Sequence, residues 1–222
     1  MGFAKPIEQY LFGNLLTEIQ VIMYLKDIIR GKMEMTESVR IEIKQQIKKC
    51  VQEADLVLVG IGTEFNKKNE AQKEIMEAYQ KLADLLKEKN YFLLTVNTDD
   101  LIFESAIDAE RVVAPCGSDK TGNVVTNDDY DESWYMPQWE KYTKWLQGTV
   151  NKNVCILELG VGFEYPTVIR FAFEKIVYFN QKCHMYRIHE KFAQLTPEIK
   201  ERTTAVKENA VKLLLEDGED VR

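Results

Sequence analysis

Apolar residues near the start of the chain recur at helical spacing. Ile7, Leu11, Leu15, Ile19, Ile22, Leu25 and Ile28 lie three or four apart, with Gly31 as a stop. A second helix is predicted over residues 36–53. Thr36-Glu37-Ser38 suits a helix start, and Ile43, Ile47 and Val51 fall on one face. The period changes at residue 55: Leu56-Val57-Leu58-Val59 is a nearly continuous apolar run ending at Gly60. Such runs suit strands buried on both faces of a parallel sheet. Further strands are predicted at residues 91–97, 111–115, 154–160 and 183–189. Between them lie a helix over 69–89, a short helix over 101–109 and a helix near 166–179. An exposed amphipathic helix is expected over 197–216.

Strands alternating with helices predict βαβ units. The expected fold is α/β: one Rossmann-like parallel-sheet domain over residues 1–222. It divides into an N-terminal helical cap (1–54), a first βα half (55–117), an insertion (118–150) and a second half with a C-terminal helix (151–222). The insertion is small and aromatic-rich, holding all three tryptophans. Trp139, Tyr142 and Leu146 fall on one helical face, the spacing of a core face rather than of a pocket wall. Residues 127–132 are acidic and turn-like but lack calcium-loop spacing, and are expected to form a solvated loop.

Charge narrows the partners. Acidic residues outnumber basic ones by 36 to 29, a net charge of −7. No stretch is strongly basic, and Lys44, Lys48 and Lys49 read as a solvated helix face, so no nucleic-acid partner is expected. No apolar run approaches the ~18 residues of a membrane span, so no membrane partner is expected either. The four cysteines, Cys50, Cys116, Cys155 and Cys183, form no CxxC pair. A zinc module and a disulfide framework are both unexpected. Residues 1–6 have no signal-peptide hydrophobic segment, and Pro6 stands where a myristoylation motif needs Ser or Thr. The expected compartment is the cytoplasm.

Chemistry in a parallel sheet sits beyond the carboxyl ends of the strands. Three strand ends carry candidates. Gly60-Ile61-Gly62-Thr63-Glu64 permits a tight turn and close approach to a phosphate, but Phe65 takes the third glycine position of a dehydrogenase fingerprint. Thr95-Val96-Asn97-Thr98-Asp99 places polar groups where a ribose or water could be held, or where an Asx turn or helix cap could form. Gly160-Val161-Gly162 is a second glycine turn, with Pro166 shortly after it. Each is also compatible with an ordinary connection. His184 and His189 fall on opposite faces of their strand and cannot share a metal.

Together these stations resemble the sirtuins, over about residues 50–190. Sirtuins show G-A-G-x-S, T-Q-N-I-D, a catalytic histidine followed by glycine, G-T-S near a later proline, and an I-N pair after the last core strand. Here the stations read Gly60-Ile61-Gly62-Thr63-Glu64, Thr95-Val96-Asn97-Thr98-Asp99, Cys116-Gly117-Ser118, Gly160-Val161-Gly162 and Ile188-His189. Cys116 replaces the histidine, Val96 the glutamine and His189 the asparagine, and the zinc cysteines are absent. The pattern is most similar to divergent, zinc-less microbial sirtuins that lack the standard histidine, including those associated with protein ADP-ribosylation. The resemblance implies NAD or ADP-ribose bound by Gly60, Ile61, Gly62, Thr63, Glu64, Asn97, Asp99, Gly160, Val161, Gly162 and His189. It implies catalytic positions at Asn97, Asp99 and Cys116.

The reaction so implied is NAD-dependent ADP-ribosyl transfer, with a protein as acceptor, or cleavage of the NAD glycosidic bond. Deacetylation is poorly served, because a thiol of pKa near ~8.5 does not do the work of an imidazole. A non-enzymatic alternative is a silent nucleotide-binding or interaction module. Glu64 favours it, since a carboxylate repels a pyrophosphate unless it points away or binds a ribose hydroxyl. For Cys116, a buried small residue and a reactive thiol stay equally open.

Overall fold

The computed structural model describes residues 35–216. The helix expected over residues 7–31 lies outside the described residues, as does most of the proposed cap. Helix α1 (Glu37–Glu53) begins one residue after Thr36 and buries Val39, Ile43, Ile47 and Val51. Strands β1 (Leu56–Ile61) and β2 (Tyr91–Thr95) are buried at every position, with α2 (Gln72–Leu86) between them. Strand β3 (Val112–Val113) is shorter than expected. Strands β6 (Val154–Leu159) and β7 (Cys183–Ile188) flank helix α4 (Arg170–Phe179).

The six-stranded sheet is wholly parallel, in the order β3-β2-β1-β6-β7-β8, with β8 at Thr203–Val206. This is a Rossmann-like α/β arrangement. Alternate side chains feed two cores. Val57, Val59, Ile61, Leu157 and Ile188 pack with α1, α2 and α5 (Ala210–Leu215). Leu58, Leu94, Ile156 and Met185 pack with α4 and with α3 (Met136–Gln147).

Helix α3 belongs to the insertion, which also contains an antiparallel ribbon of β4 (Gly117–Ser118) and β5 (Asn123–Val124). The aromatic face does pack as core. Tyr142 is buried, and the Phe92 ring lies 5.9 Å from Tyr142 and 5.4 Å from Trp145.

Three expected elements take other forms. The helix over 101–109 is two short 3-10 turns, Leu101–Glu104 and Ala109–Arg111. Side chains compete for the backbone there: Ser105 Oγ donates to the Ile102 carbonyl (2.6 Å) and accepts from Ile107 N–H (3.2 Å), and Asp108 caps Glu110 N–H (3.0 Å). The helix near 166–179 starts only at Arg170, after a turn in which Tyr165 has φ 46°. The exposed tail helix is instead a 3-10 turn (Lys200–Arg202), strand β8 and the short helix α5. The β-branched residues Thr203, Thr204 and Val206 prefer the sheet edge, where Thr203 and Val206 are buried. Asn209 then caps α5 by accepting from Lys212 N–H at 3.0 Å.

A charged cluster crosses the second core. Glu158 on β6 is the register partner of Arg187 on β7, and both are fully buried. Arg187 Nε and Nη2 donate to the two Glu158 oxygens at 2.7 and 2.9 Å, and Nη1 donates to Glu174 at 2.8 Å. Arg170, at the start of α4, lies 3.5 Å from Glu158. Burial raises the Glu158 carboxyl above its ordinary range, against the pull of both guanidinium groups.

Removing one partner of such a pair strands a buried charge. The Arg187→Met variant is expected to lose about 3–5 kcal/mol in urea denaturation, and the Glu158→Leu/Arg187→Met double variant to recover much of it. A loss below about 1 kcal/mol in the single variant would show that the cluster is not a structural anchor.

Candidate functional site

The strand order reverses between β1 and β6, so the crevice beyond their carboxyl ends is the expected ligand position. Both glycine turns lie there and touch. A Cβ on Gly62 would sit 2.1 Å from the Gly160 carbonyl oxygen, and one on Gly60 would sit 2.5 Å from Ile169. Gly160 itself has φ +64°, a conformation that suits glycine. Backbone bonds hold the turns: Gly62 N–H donates to Leu159 O (2.9 Å), joining the first turn to the end of β6, and Gly160 N–H donates to Ile188 O (2.8 Å), joining the second to the end of β7. Ile61 and Val161 are buried, so they can offer a ligand backbone atoms only. The Val161 carbonyl already accepts from Arg170 at 3.2 Å. The Thr63 carbonyl accepts from Asn69 at 2.7 Å.

Glu64 is 7% exposed and turns inward. Its Oε1 accepts from Glu190 N–H at 2.9 Å and its Oε2 from Ala210 N–H at 2.7 Å, tying the first glycine turn to the loop after β7 and to the start of α5. Burial pushes its carboxyl up to about 6, although both backbone donors oppose the rise. His189 Nδ1 lies 3.0 Å from the same Oε1 and also accepts from Lys191 N–H at 3.0 Å. A charged pair needs a proton on Nδ1, and the Lys191 donor occupies that nitrogen. Burial, with Arg170 and Lys191 nearby, lowers His189 to about 4. At neutral pH the imidazole is therefore uncharged, and the other ring nitrogen carries its proton. That nitrogen, Nε2, faces the second turn: it lies 3.6 Å from where a Cβ on Gly162 would be.

Asn97 and Asp99 close the crevice from the β2 side. Asn97 Nδ2 donates to Gly62 O at 2.9 Å, and its Oδ1 lies 3.5 Å from Asn66 Nδ2. Asp99 accepts from Lys67 N–H (2.9 Å) and Leu101 N–H (3.3 Å), which is the Asx-turn role. The fully buried Tyr79 hydroxyl lies beside Asn97 and Asp99 but meets hydrogen-bond geometry with neither. Asp100, with φ 64°, accepts from Ser118 Oγ (2.8 Å) and Lys120 N–H (3.1 Å), and so fastens the insertion to the end of β2.

Cys116 is placed differently from a reactive thiol. It is 1% exposed in the apolar core with Val96, Val113 and Val161. Burial, with Glu164 nearby, pushes its thiol up to about 12, so it is protonated at neutral pH. His184 is half-buried on the other face of β7 and bonds Thr204 Oγ1 at 2.9 Å. Among the described residues, no group of three His, Cys, Asp or Glu side chains could hold a metal ion. No helix among them is long and apolar enough to cross a membrane.

Sequence reasoning missed the residues that hold the site's frame. Arg170 donates to the Phe192 carbonyl at 3.0 Å, and Arg187 to the Gln194 carbonyl at 2.9 Å, so the Glu158 cluster fixes the loop after His189. The available signal was a carboxylate and a guanidinium inside two otherwise apolar strand runs. A scan of the chain against protein-family models finds no match, and a search of curated proteins finds none either.

The two titrating groups pull stability in opposite directions. Glu64, raised to about 6, binds protons more tightly when folded, so its contribution falls as pH rises from 4.5 to 6. That contribution is on the order of 2 kcal/mol. His189, lowered to about 4, binds protons less tightly when folded, so its contribution rises from pH 4 to 6.5. The Glu64→Gln variant is expected to show a steeper rise of unfolding free energy across pH 4.5–6 than wild type. Equal slopes would mean that folding does not change the proton affinity of Glu64.

Proposed function

We propose that the chain binds a nucleotide carrying an ADP-ribose unit, NAD foremost, beyond the carboxyl ends of β1 and β6 and over the two glycine turns. The observation that carries this reading is the meeting of both turns at the point where the strand order reverses. Glu64 supports it. The carboxylate points into the protein onto two backbone donors, so it does not face a pyrophosphate in the crevice.

The reading extends to ADP-ribosyl transfer to a protein acceptor, or hydrolysis of the glycosidic bond, as in the divergent sirtuins the sequence resembles. NAD would supply the ADP-ribosyl group. This chain's residues would bind and orient: Asn97 through an amide already fixed on Gly62 O, and His189 as a neutral donor through Nε2. Cys116 is assigned no catalytic part, because its thiol stays protonated and enclosed. A second reading, a binding module without catalysis, is favoured by Asp99, whose carboxylate is committed to two backbone N–H groups.

Calorimetric titration with NAD, and separately with ADP-ribose, tests the proposal. Saturable binding is expected, weakened roughly tenfold or more in Asn97→Ala, as loss of one or two good hydrogen bonds gives. Nicotinamide release with candidate acceptor proteins then separates enzyme from module. A folded wild-type sample that binds neither ligand would overturn the proposal.

A further inference from the structure

Beside the edge strand β8 lies a cavity of about 420 Å3, within the size range of small-molecule sites. Lys191, Lys200 and Lys207 line it, with Gln194, and Leu195 and Ala205 contribute apolar surface. No carboxylate belongs to the lining, although the chain carries a net charge of −7. None of the three ammonium groups makes an ion pair or hydrogen bond among the described residues. One wall is held firmly. The Gln194 carbonyl accepts from Arg187 (2.9 Å) and Arg170 (3.3 Å), and the Gln194 amide donates to Lys191 O at 3.2 Å.

We propose that this cavity is an anion site for a small phosphate compound, an organic phosphate ester or inorganic pyrophosphate. The three lysines of the lining supply the ammonium donors that hold the phosphate. Leu195 and Ala205 receive the uncharged part of an ester. The site is separate from the glycine crevice and does not depend on what that crevice binds.

The test is titration of the full chain with pyrophosphate and with AMP, followed by calorimetry at low salt. Saturable binding is expected, weakened roughly tenfold or more in Lys200→Ala/Lys207→Ala, by loss of two charge-assisted contacts. Added salt weakens it too, through screening. The α1 surface variant Lys48→Ala/Lys49→Ala is expected to bind as wild type does. AMP binding that is tighter than pyrophosphate binding and is weakened in Lys200→Ala/Lys207→Ala marks an ester site, and the reverse order marks an inorganic anion site. Absence of saturable binding, an unchanged Lys200→Ala/Lys207→Ala variant, or an equal loss in Lys48→Ala/Lys49→Ala would overturn the proposal. Binding lost only in Asn97→Ala would place the phosphate in the crevice and also overturn it. All these lysines are exposed, so circular dichroism serves as the folding control.

Discussion

A carboxylate buried at 0% exposure on a core strand must be satisfied, and Glu158 is such a group. Its partners reach beyond it. Arg187 and Arg170 spend their remaining donors on the carbonyls of Val161, Phe192 and Gln194. One charge requirement in the core thus fixes two surface segments: the second glycine turn and the loop that follows His189. Both candidate ligand sites take a wall from those segments. An apolar replacement could fill the same space, but it could not position three loop carbonyls.

Glu64 plays the corresponding part on the other face. It reaches from the first glycine turn to the end of β7 and the start of α5, and its side chain fills the space that a Cβ on Gly160 would need. The glycines at 62 and 160 are required first by contact between the turns. Any role in admitting a phosphate rests on the same lack of side chains. The burial that makes Glu64 an anchor also raises its pKa, so the anchor carries a cost above pH 6.

The core of the fold was legible because strands buried on both faces read as continuous apolar runs. Leu56–Ile61 and Val154–Leu159 needed no tertiary information. The tail was not legible in the same way. Strand β8 lies at the sheet edge and its inner positions 204 and 205 are only half-buried, so residues 197–216 could be fitted to a helical spacing. The meeting place of these segments was legible, because glycine turns followed two strands and Asn97 followed a third. Its internal chemistry was not, since the inward turn of Glu64 and the enclosure of Cys116 depend on what packs around them. Glu158 and Arg187 were visible as charges within apolar runs. Their pairing followed only from the register of β6 against β7.

The two glycine turns and the end of β2 are proposed to form one ligand crevice. Hydrogen–deuterium exchange with and without saturating ADP-ribose tests it most directly. Slowed amide exchange is expected in residues 60–64, 95–99 and 160–163, with α1 unchanged. Unaltered exchange in those three segments, at a concentration that saturates binding, would contradict it.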